Sequence, residues 1–429
     1  MSDDARTGPD RREAALRREL WRTRNSASFR LGNHLIEAAR KPWRILALPI
    51  TLPLVTWQIG MELLGRRPRP MSDSMIQLKG GPERSIVLFP TNGVGFGHFT
   101  RMYGLARRLR RLDPDLEIIF FTTQPTLHLP YLDGFPTYHL AGPKKFKGMD
   151  SDAWNSMVQE MLTLVLETHR PQTFVFDGAF PYRGMLNALD TIAIPQKVWL
   201  RRGMFRKGTS IPMDSIGKFD LIVHPEDAIS SPTDELEHGV QVKMVPPMTL
   251  IDSDEMWGRE EARRRLGVPI DIQVAYVQLG AGRINEIDSD VRQVVDALLA
   301  HDDVHVVLGE SLLGDRLQIN LDRVHIIRDY PNALFLNAFD VSIQAGGYNS
   351  FHEMRKQVIP TLFLPNMNTG MDDQLARCEV AEKEGWGIVN KNIDSIQEDI
   401  SRILNFGEIN KKTILNGSNL LADFLIENY

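Results

Sequence analysis

The chain of 429 residues contains one cysteine, Cys378. A lone thiol excludes an intramolecular disulfide framework and a cysteine-built zinc cluster, and it fits a reducing compartment such as the cytoplasm. The chain also lacks an excess of positive charge: 50 Lys and Arg stand against 55 Asp and Glu, a net charge of -5. Nothing draws the whole molecule to polyphosphate, so nucleic acid is not an expected partner. With 42% hydrophobic and 24% charged residues, pervasive disorder and collagen-like repeats are excluded. The length predicts two domains.

The uncharged run Ile45–Met61 has seventeen residues, short of the roughly twenty that a spanning helix needs, and Pro49 and Pro53 interrupt it. It lies too far from the start for a signal peptide and ends in no small-residue cleavage site. What the run does have is flanking charge: Arg40, Lys41 and Arg44 before it, Arg66, Arg67 and Arg69 after it. Fourteen Lys and Arg against eight Asp and Glu give residues 1–75 a balance of +6, against -11 for the remaining 354. Two readings stand open for this basic, apolar extension. It can lie in an anionic membrane surface, with Trp43 and Trp57 at headgroup depth. Alternatively, it folds onto the protein's own surface.

From Ser85 onward, short apolar runs alternate with helical patterns, which predicts two doubly wound Rossmann-like α/β domains. The first set of strands is Ser85–Pro90, Leu116–Phe121, Thr173–Phe176, Lys197–Leu200 and Leu221–Val223. The second is Gln273–Leu279, Val304–Leu308, Val324–Ile327, Val341–Ile343 and Thr361–Leu364. Val245-Pro246-Pro247 and the polar stretch Asp252–Arg265 mark the junction. The expected domains are therefore 76–247 and 248–429, facing a cleft, with the final helix able to pack back on the first domain. Ligands of such sheets bind beyond the carboxyl ends of the strands, so the chemistry belongs in the loops that follow them.

The loop after the first strand reads Thr91-Asn92-Gly93-Val94-Gly95-Phe96-Gly97-His98. Its glycines, Gly95 and Gly97 among them, let backbone approach a ligand and place His98 at a helix start. The helix dipole disfavours the protonated ring there, and a neutral imidazole can take a proton from an alcohol. A dinucleotide site would use a similar loop, but the acidic residue expected about twenty residues on is missing. Phe120-Phe121-Thr122-Thr123 stands there instead. Asp177 lies in the loop after the third strand, where it can orient the histidine or cap a helix.

The stretch 338–374 is the richest. Ala345-Gly346-Gly347-Tyr348-Asn349-Ser350 opens a helix whose free backbone donors suit a diphosphate. Glu353 can accept from two ribose hydroxyls, or can close a capping box with Ser350. The polar loop through Asp372, Asp373 and Gln374 offers partners for sugar hydroxyls or forms a solvated helix cap. The Asp-Ser-Asp triplets starting at Asp150, Asp252 and Asp288 resemble a metal-binding pattern, but each precedes a predicted helix, and capping is the expectation.

With these motifs in order, the chain resembles the GT-B nucleotide-sugar glycosyltransferases. That superfamily includes the lipid-intermediate N-acetylglucosaminyltransferase of peptidoglycan synthesis and the UDP-glycosyltransferases. The resemblance spans Ser85–Asn405 and implies His98 as base, Asp177 as its partner and Glu353 as a ribose ligand. It further implies that Gly346, Gly347, Asn349 and Ser350 hold the diphosphate, while Asp372, Asp373 and Gln374 read the donor sugar. Gly280 falls in a loop similar to the family's first donor-domain loop, Arg283 can approach phosphate, and Ile326 falls where backbone usually holds the base. Asp329-Tyr330-Pro331-Asn332 replaces the His- or Trp-bearing nucleotide motif of many relatives, so the resemblance does not fix uracil as the base. Phe29-Arg30-Leu31-Gly32-Asn33 and Ala47-Leu48-Pro49 are similar to an extension of bacterial envelope-polysaccharide glycosyltransferases.

The expected activity is inverting sugar transfer, without metal or cofactor, from a nucleotide-diphosphate donor to a hydroxyl. The acceptor would be a glycan or lipid-linked molecule. A nucleotide-sugar 2-epimerase and a non-catalytic sugar-nucleotide-binding scaffold remain the alternatives.

Overall fold

The computed structural model describes residues 20, 23–64, 83–91, 95–202, 213–229, 236–237, 239–280, 287–312, 319–367, 372–409 and 413–428. Parallel strands covered on both faces read as near-continuous apolar runs, and the ten expected strands all form. The first sheet contains β1 (Glu83–Pro90), β2 (Glu117–Thr122), β3 (Thr137–His139), β4 (Pro171–Asp177), β5 (Gln196–Leu200), β6 (Leu221–Pro225), β7 (Leu236–Glu237) and β8 (Val240–Val245). Their order is β3-β2-β1-β4-β5-β6-β8-β7, and among the described residues only the β7–β8 pairing is antiparallel. The second sheet has β9 (Gln273–Gln278), β10 (Val304–Gly309), β11 (Val324–Ile327), β12 (Val341–Gln344), β13 (Thr361–Phe363) and β14 (Gly387–Val389). They run in the order β11-β10-β9-β12-β13-β14.

Alternation along β1 shows how the layers are built. Ile86 and Leu88 pack with Phe99, Met102 and Leu105 of one helix, while Val87 and Phe89 pack with Trp154, Val158 and Leu162 of another. Six helices matter below: α1 (Ala27–Arg40), α2 (Leu48–Leu63), α3 (Gly97–Leu112), α4 (Tyr348–Gln357), α5 (Gln374–Lys383) and α6 (Gly417–Glu427). Helix α6 returns to the first domain and packs on α3. A Cβ at Gly104 of α3 would meet Ser418 and the Thr249 backbone at 3.2 Å, and Arg108 Nε donates to Asn419 at 3.0 Å.

Asp252 is a correction to the sequence reading. It caps no helix; its carboxylate accepts from Arg108, Lys356 and Asn416 at 2.8–2.9 Å, tying both domains to the junction. Asp150 does cap, accepting from Ala153 N at 2.7 Å. Asp288 lies inside the helix Ile287–Leu299 rather than before it.

Residues 27–63 form a helical hairpin. Ser26 caps α1, Pro49 occupies the first turn of α2 where no donor is lost, and Pro53 lies inside that helix. The two helices are joined by the Arg30–Glu62 ion pair and a 3.0 Å His34–Thr51 hydrogen bond. Outside this seam, Trp43, Leu46, Ile50, Leu54 and Trp57 are each more than half exposed. Among the described residues, no helix is long and apolar enough to cross a membrane.

Candidate active site

In each sheet the chain reverses direction of travel at one point, between β1 and β4 and between β9 and β12. Loops diverge at such switch points and leave a crevice beyond the strand ends. The two crevices face each other across one cavity of about 930 Å³.

The first-domain wall is set by strand register. Pro90 at the end of β1 lies beside Asp177 at the end of β4, and Thr91 N donates to the Asp177 carbonyl at 2.9 Å. Helix α3 then starts at Gly97, with Phe96 as its cap, so His98 sits in the first turn. His98 Nδ1 lies 2.6 Å from Asp177 Oδ1. With Asp177 accepting from Nδ1–H, the neutral ring carries its lone pair on Nε2. Burial pulls the His98 pKa below its ordinary value; Asp177 opposes this, and the Arg101 and Arg202 charges add to it. Asp177 is almost fully buried and stays ionised. Burial pushes its pKa up, but Arg101 and His98 outweigh that and hold it below the usual carboxylate range.

Arg101 is a residue the sequence reading missed. One helical turn beyond His98, it donates through Nε and Nη2 to the two Asp177 oxygens at 3.0 and 2.8 Å. The spacing i, i+3 on one helix face was its only signal.

In the second domain, Gly346 follows β12 with φ +79°, Gly347 caps α4, and no side chain satisfies the helix start. Phe351 N is the first to find an intrahelical acceptor, on the Gly347 carbonyl. The amides of Tyr348, Asn349 and Ser350 thus stand at the positive end of the helix dipole, beside the cavity. Because Gly347 is the cap, Ser350 lies inside the helix and the Ser350–Glu353 capping box does not form. Glu353 instead lines the cavity one turn on, and burial pushes its carboxyl up to about 7 against the pull of Lys356.

Gly95, Gly97, His98, Gly280, Gly347, Asn349, Ser350, Glu353, Asp372 and Gln374 all line this one cavity. Three expected donor contacts do not. Gly346 lies behind the wall: its carbonyl accepts from Arg377 at 2.9 Å, and a Cβ there would stand 2.3 Å from Cys378 Sγ. Asp373 is the cap of α5, accepting from Ala376 N at 3.1 Å, because it directly precedes that helix. Ile326 sits within β11, short of the strand end, and the wall is made by Asp329, Tyr330, Pro331 and Asn332 beyond it. Arg283 lies outside the described residues.

Contacts across the cleft hold the two walls together. Tyr330 crosses from the second domain to α3, with its hydroxyl 2.9 Å from Thr100 and its ring stacked 5.2 Å from Phe96. Arg377 of α5, 1% exposed, donates through Nε and Nη2 to Asp227, which follows β6, at 2.8 and 2.6 Å. Asn349 Nδ2 reaches the Gly97 carbonyl at 3.5 Å. The arrangement sets the His98–Asp177 pair opposite the start of α4, which no side chain caps, across one cavity.

Fold and cavity together define a class: a two-domain α/β protein of GT-B fold, with a histidine–aspartate pair on its first-domain wall and a helix start without a side-chain cap on its second. No family model matches the chain, and no curated protein matches it in sequence. Solved structures match its fold. The glycotransferase of kitacinnamycin aligns with TM-score 0.54 at 14% identity, over 80% of this chain and 98% of that one. Acinetobacter baumannii MurG aligns with 0.52 at 11%, over 80% and 100%. The UDP-GlcNAc 2-epimerase of Methanocaldococcus jannaschii aligns with 0.51 at 14%, over 80% and 99%. The chain has the GT-B fold that its motifs resemble.

Proposed function

We propose that this protein is an inverting glycosyltransferase that moves a sugar from a nucleotide-diphosphate donor to an acceptor hydroxyl. The observation that carries the reading is the shared cavity of His98 and the α4 amino terminus. The acceptor oxygen gives its proton to His98 Nε2 and bonds to the anomeric carbon. The bond from that carbon to the diphosphate oxygen breaks, and the nucleoside diphosphate leaves with the electron pair. Backbone amides at the start of α4 are fixed in advance to receive that charge. The nucleotide sugar is a co-substrate, and the proposed route uses no cofactor.

Donor binding is the first test. A panel of UDP-, TDP- and GDP-sugars should include one that raises the melting temperature, since a ligand of the native state alone stabilises it. Glu353→Ala should weaken that donor about tenfold, the loss of a hydrogen bond to a charged group, while changing the unliganded melting temperature little. Equal affinity in the variant would remove Glu353 from the site. Incubation of donor without acceptor separates the second reading: an epimerase makes a new nucleotide sugar, a transferase does not.

The hairpin bears on the acceptor. Its exposed Trp43, Leu46, Ile50 and Trp57, with Arg24, Arg40 and Lys41 also exposed, fit an anionic bilayer at the inner face of the cell envelope. A lipid-linked or envelope glycan is the acceptor this favours. Deleting residues 1–75 should then move the protein from the membrane to the supernatant fraction; unchanged fractionation would rule out the hairpin as the anchor.

A further inference from the structure

Three guanidinium groups surround the ring of Tyr348, the first residue of α4. Arg101, Arg202 and Arg377 lie 5.4, 5.3 and 6.0 Å from its centroid. Their charges are not equally committed. Arg101 is 2% exposed and grips both oxygens of Asp177. Arg377 is 1% exposed and is held by Asp227, Asp372 and the Gly346 carbonyl. Neither can turn to a ligand without abandoning a buried carboxylate, which is costly.

Arg202 differs. It stands on the loop after β5, lines the cavity, keeps 27% of its side chain exposed, and has one ion pair among the described residues, a 3.1 Å contact with Asp372. That pair is longer and more exposed than those of Arg101 and Arg377. A dianionic diphosphate placed at the α4 start would lie beside this guanidinium and offer bidentate, charge-assisted bonds. Asp372, for its part, has Arg377 as a second cation at 2.6 Å. Lys391, another cation on the wall, is 60% exposed and paired with Glu379, without a ring contact to α4.

Resting on the donor reading above, we propose that Arg202 is the mobile cation of the site: it leaves Asp372 to bind the donor diphosphate. In doing so it turns Asp372 toward the donor sugar and neutralises the departing nucleoside diphosphate. Because Arg202 belongs to the first domain and α4 to the second, the donor diphosphate would then be held from both domains.

The exchange makes a thermodynamic prediction that a structural role would not. Calorimetry uses whichever of UDP, TDP and GDP stabilises the wild type most, together with its parent nucleoside. Arg202→Gln should weaken the diphosphate about 10- to 100-fold and leave the nucleoside unchanged; Arg202→Lys should recover part of the loss. Asp372→Asn, which removes the competing carboxylate, should tighten the diphosphate several-fold when Arg202 is present and not in the Arg202→Gln background. Unchanged diphosphate affinity in Arg202→Gln, or equal losses for diphosphate and nucleoside, would overturn the assignment. An Asp372→Asn effect that survives in Arg202→Gln would overturn the exchange. Should the wild type bind none of the three diphosphates, the donor reading itself falls, and this inference with it.

Discussion

His98→Ala should lower turnover by about a hundredfold or more, the usual contribution of a positioned base, with the donor affinity of the wild type retained. The separation follows from the geometry: His98 belongs to the first-domain wall, whereas the orphan amides and Glu353 belong to the second. The pH profile gives a second readout. Burial, with Arg101 and Arg202 assisting, keeps the His98 pKa below 6.5. A base must be unprotonated to act, so the acid limb of kcat/KM should lie at lower pH than that of an ordinary imidazole. Arg101→Gln removes one opposing charge and frees Asp177 to favour the imidazolium, so its acid limb should move to higher pH. Near-normal turnover in His98→Ala, or an acid limb unmoved in Arg101→Gln, would mean that another group takes the proton.

How much of this could be read in the sequence depends on where each signal lives. Central strands such as β1 and β9 are buried on both faces and announce themselves as apolar runs. Strand β8, reading Val-Gln-Val-Lys-Met-Val near the sheet edge, alternates and merges with the linker that follows. Strands β3 and β14 are three residues each at sheet edges; β13 is as short, but the apolar run Leu362-Phe363-Leu364 marks it. Similarly, His98, Gly347 and Glu353 were legible because a strand-to-helix junction fixes where the next few residues point. Asp373 shows the limit of that logic: one residue separates a side chain on the cavity wall, Asp372, from one turned back to cap a helix.

The arginines were not legible for a different reason. Arginine is common on helix surfaces, and only tertiary packing decides which becomes buried. Arg101, Arg202 and Arg377 owe their roles to Asp177, Asp372 and Asp227, which lie 76, 170 and 150 residues away in sequence. The exposed hairpin is the reverse case. Its apolar run and basic flanks were plain, but that it closes on itself through Arg30 and Glu62 required the fold.

Asp227→Ala should be strongly destabilising, costing about 3 kcal/mol, because Arg377 loses its bidentate partner in the interior and keeps Asp372 and the Gly346 carbonyl. The pair is also the bridge by which α5 and the loop after β6 fix one domain against the other, so turnover should fall with stability even though neither residue touches substrate. Burial pushes the Asp227 carboxyl up, but hydrogen bonds and charge from His352 and Arg377 overcome this and hold it far below its ordinary value. A depressed carboxylate contributes its stability above the unfolded pKa of about 4 and loses it as the pH falls further. Denaturant midpoints should therefore drop steeply below pH 4 in the wild type and less steeply in Asp227→Ala. Replacing both partners, as in Asp227→Leu with Arg377→Met, should cost less than the single change, since no under-paired guanidinium is left inside. A double variant as unstable as the sum of its singles would show that the two side chains act independently, and that the domains are held by the stacked aromatics around Tyr330 instead.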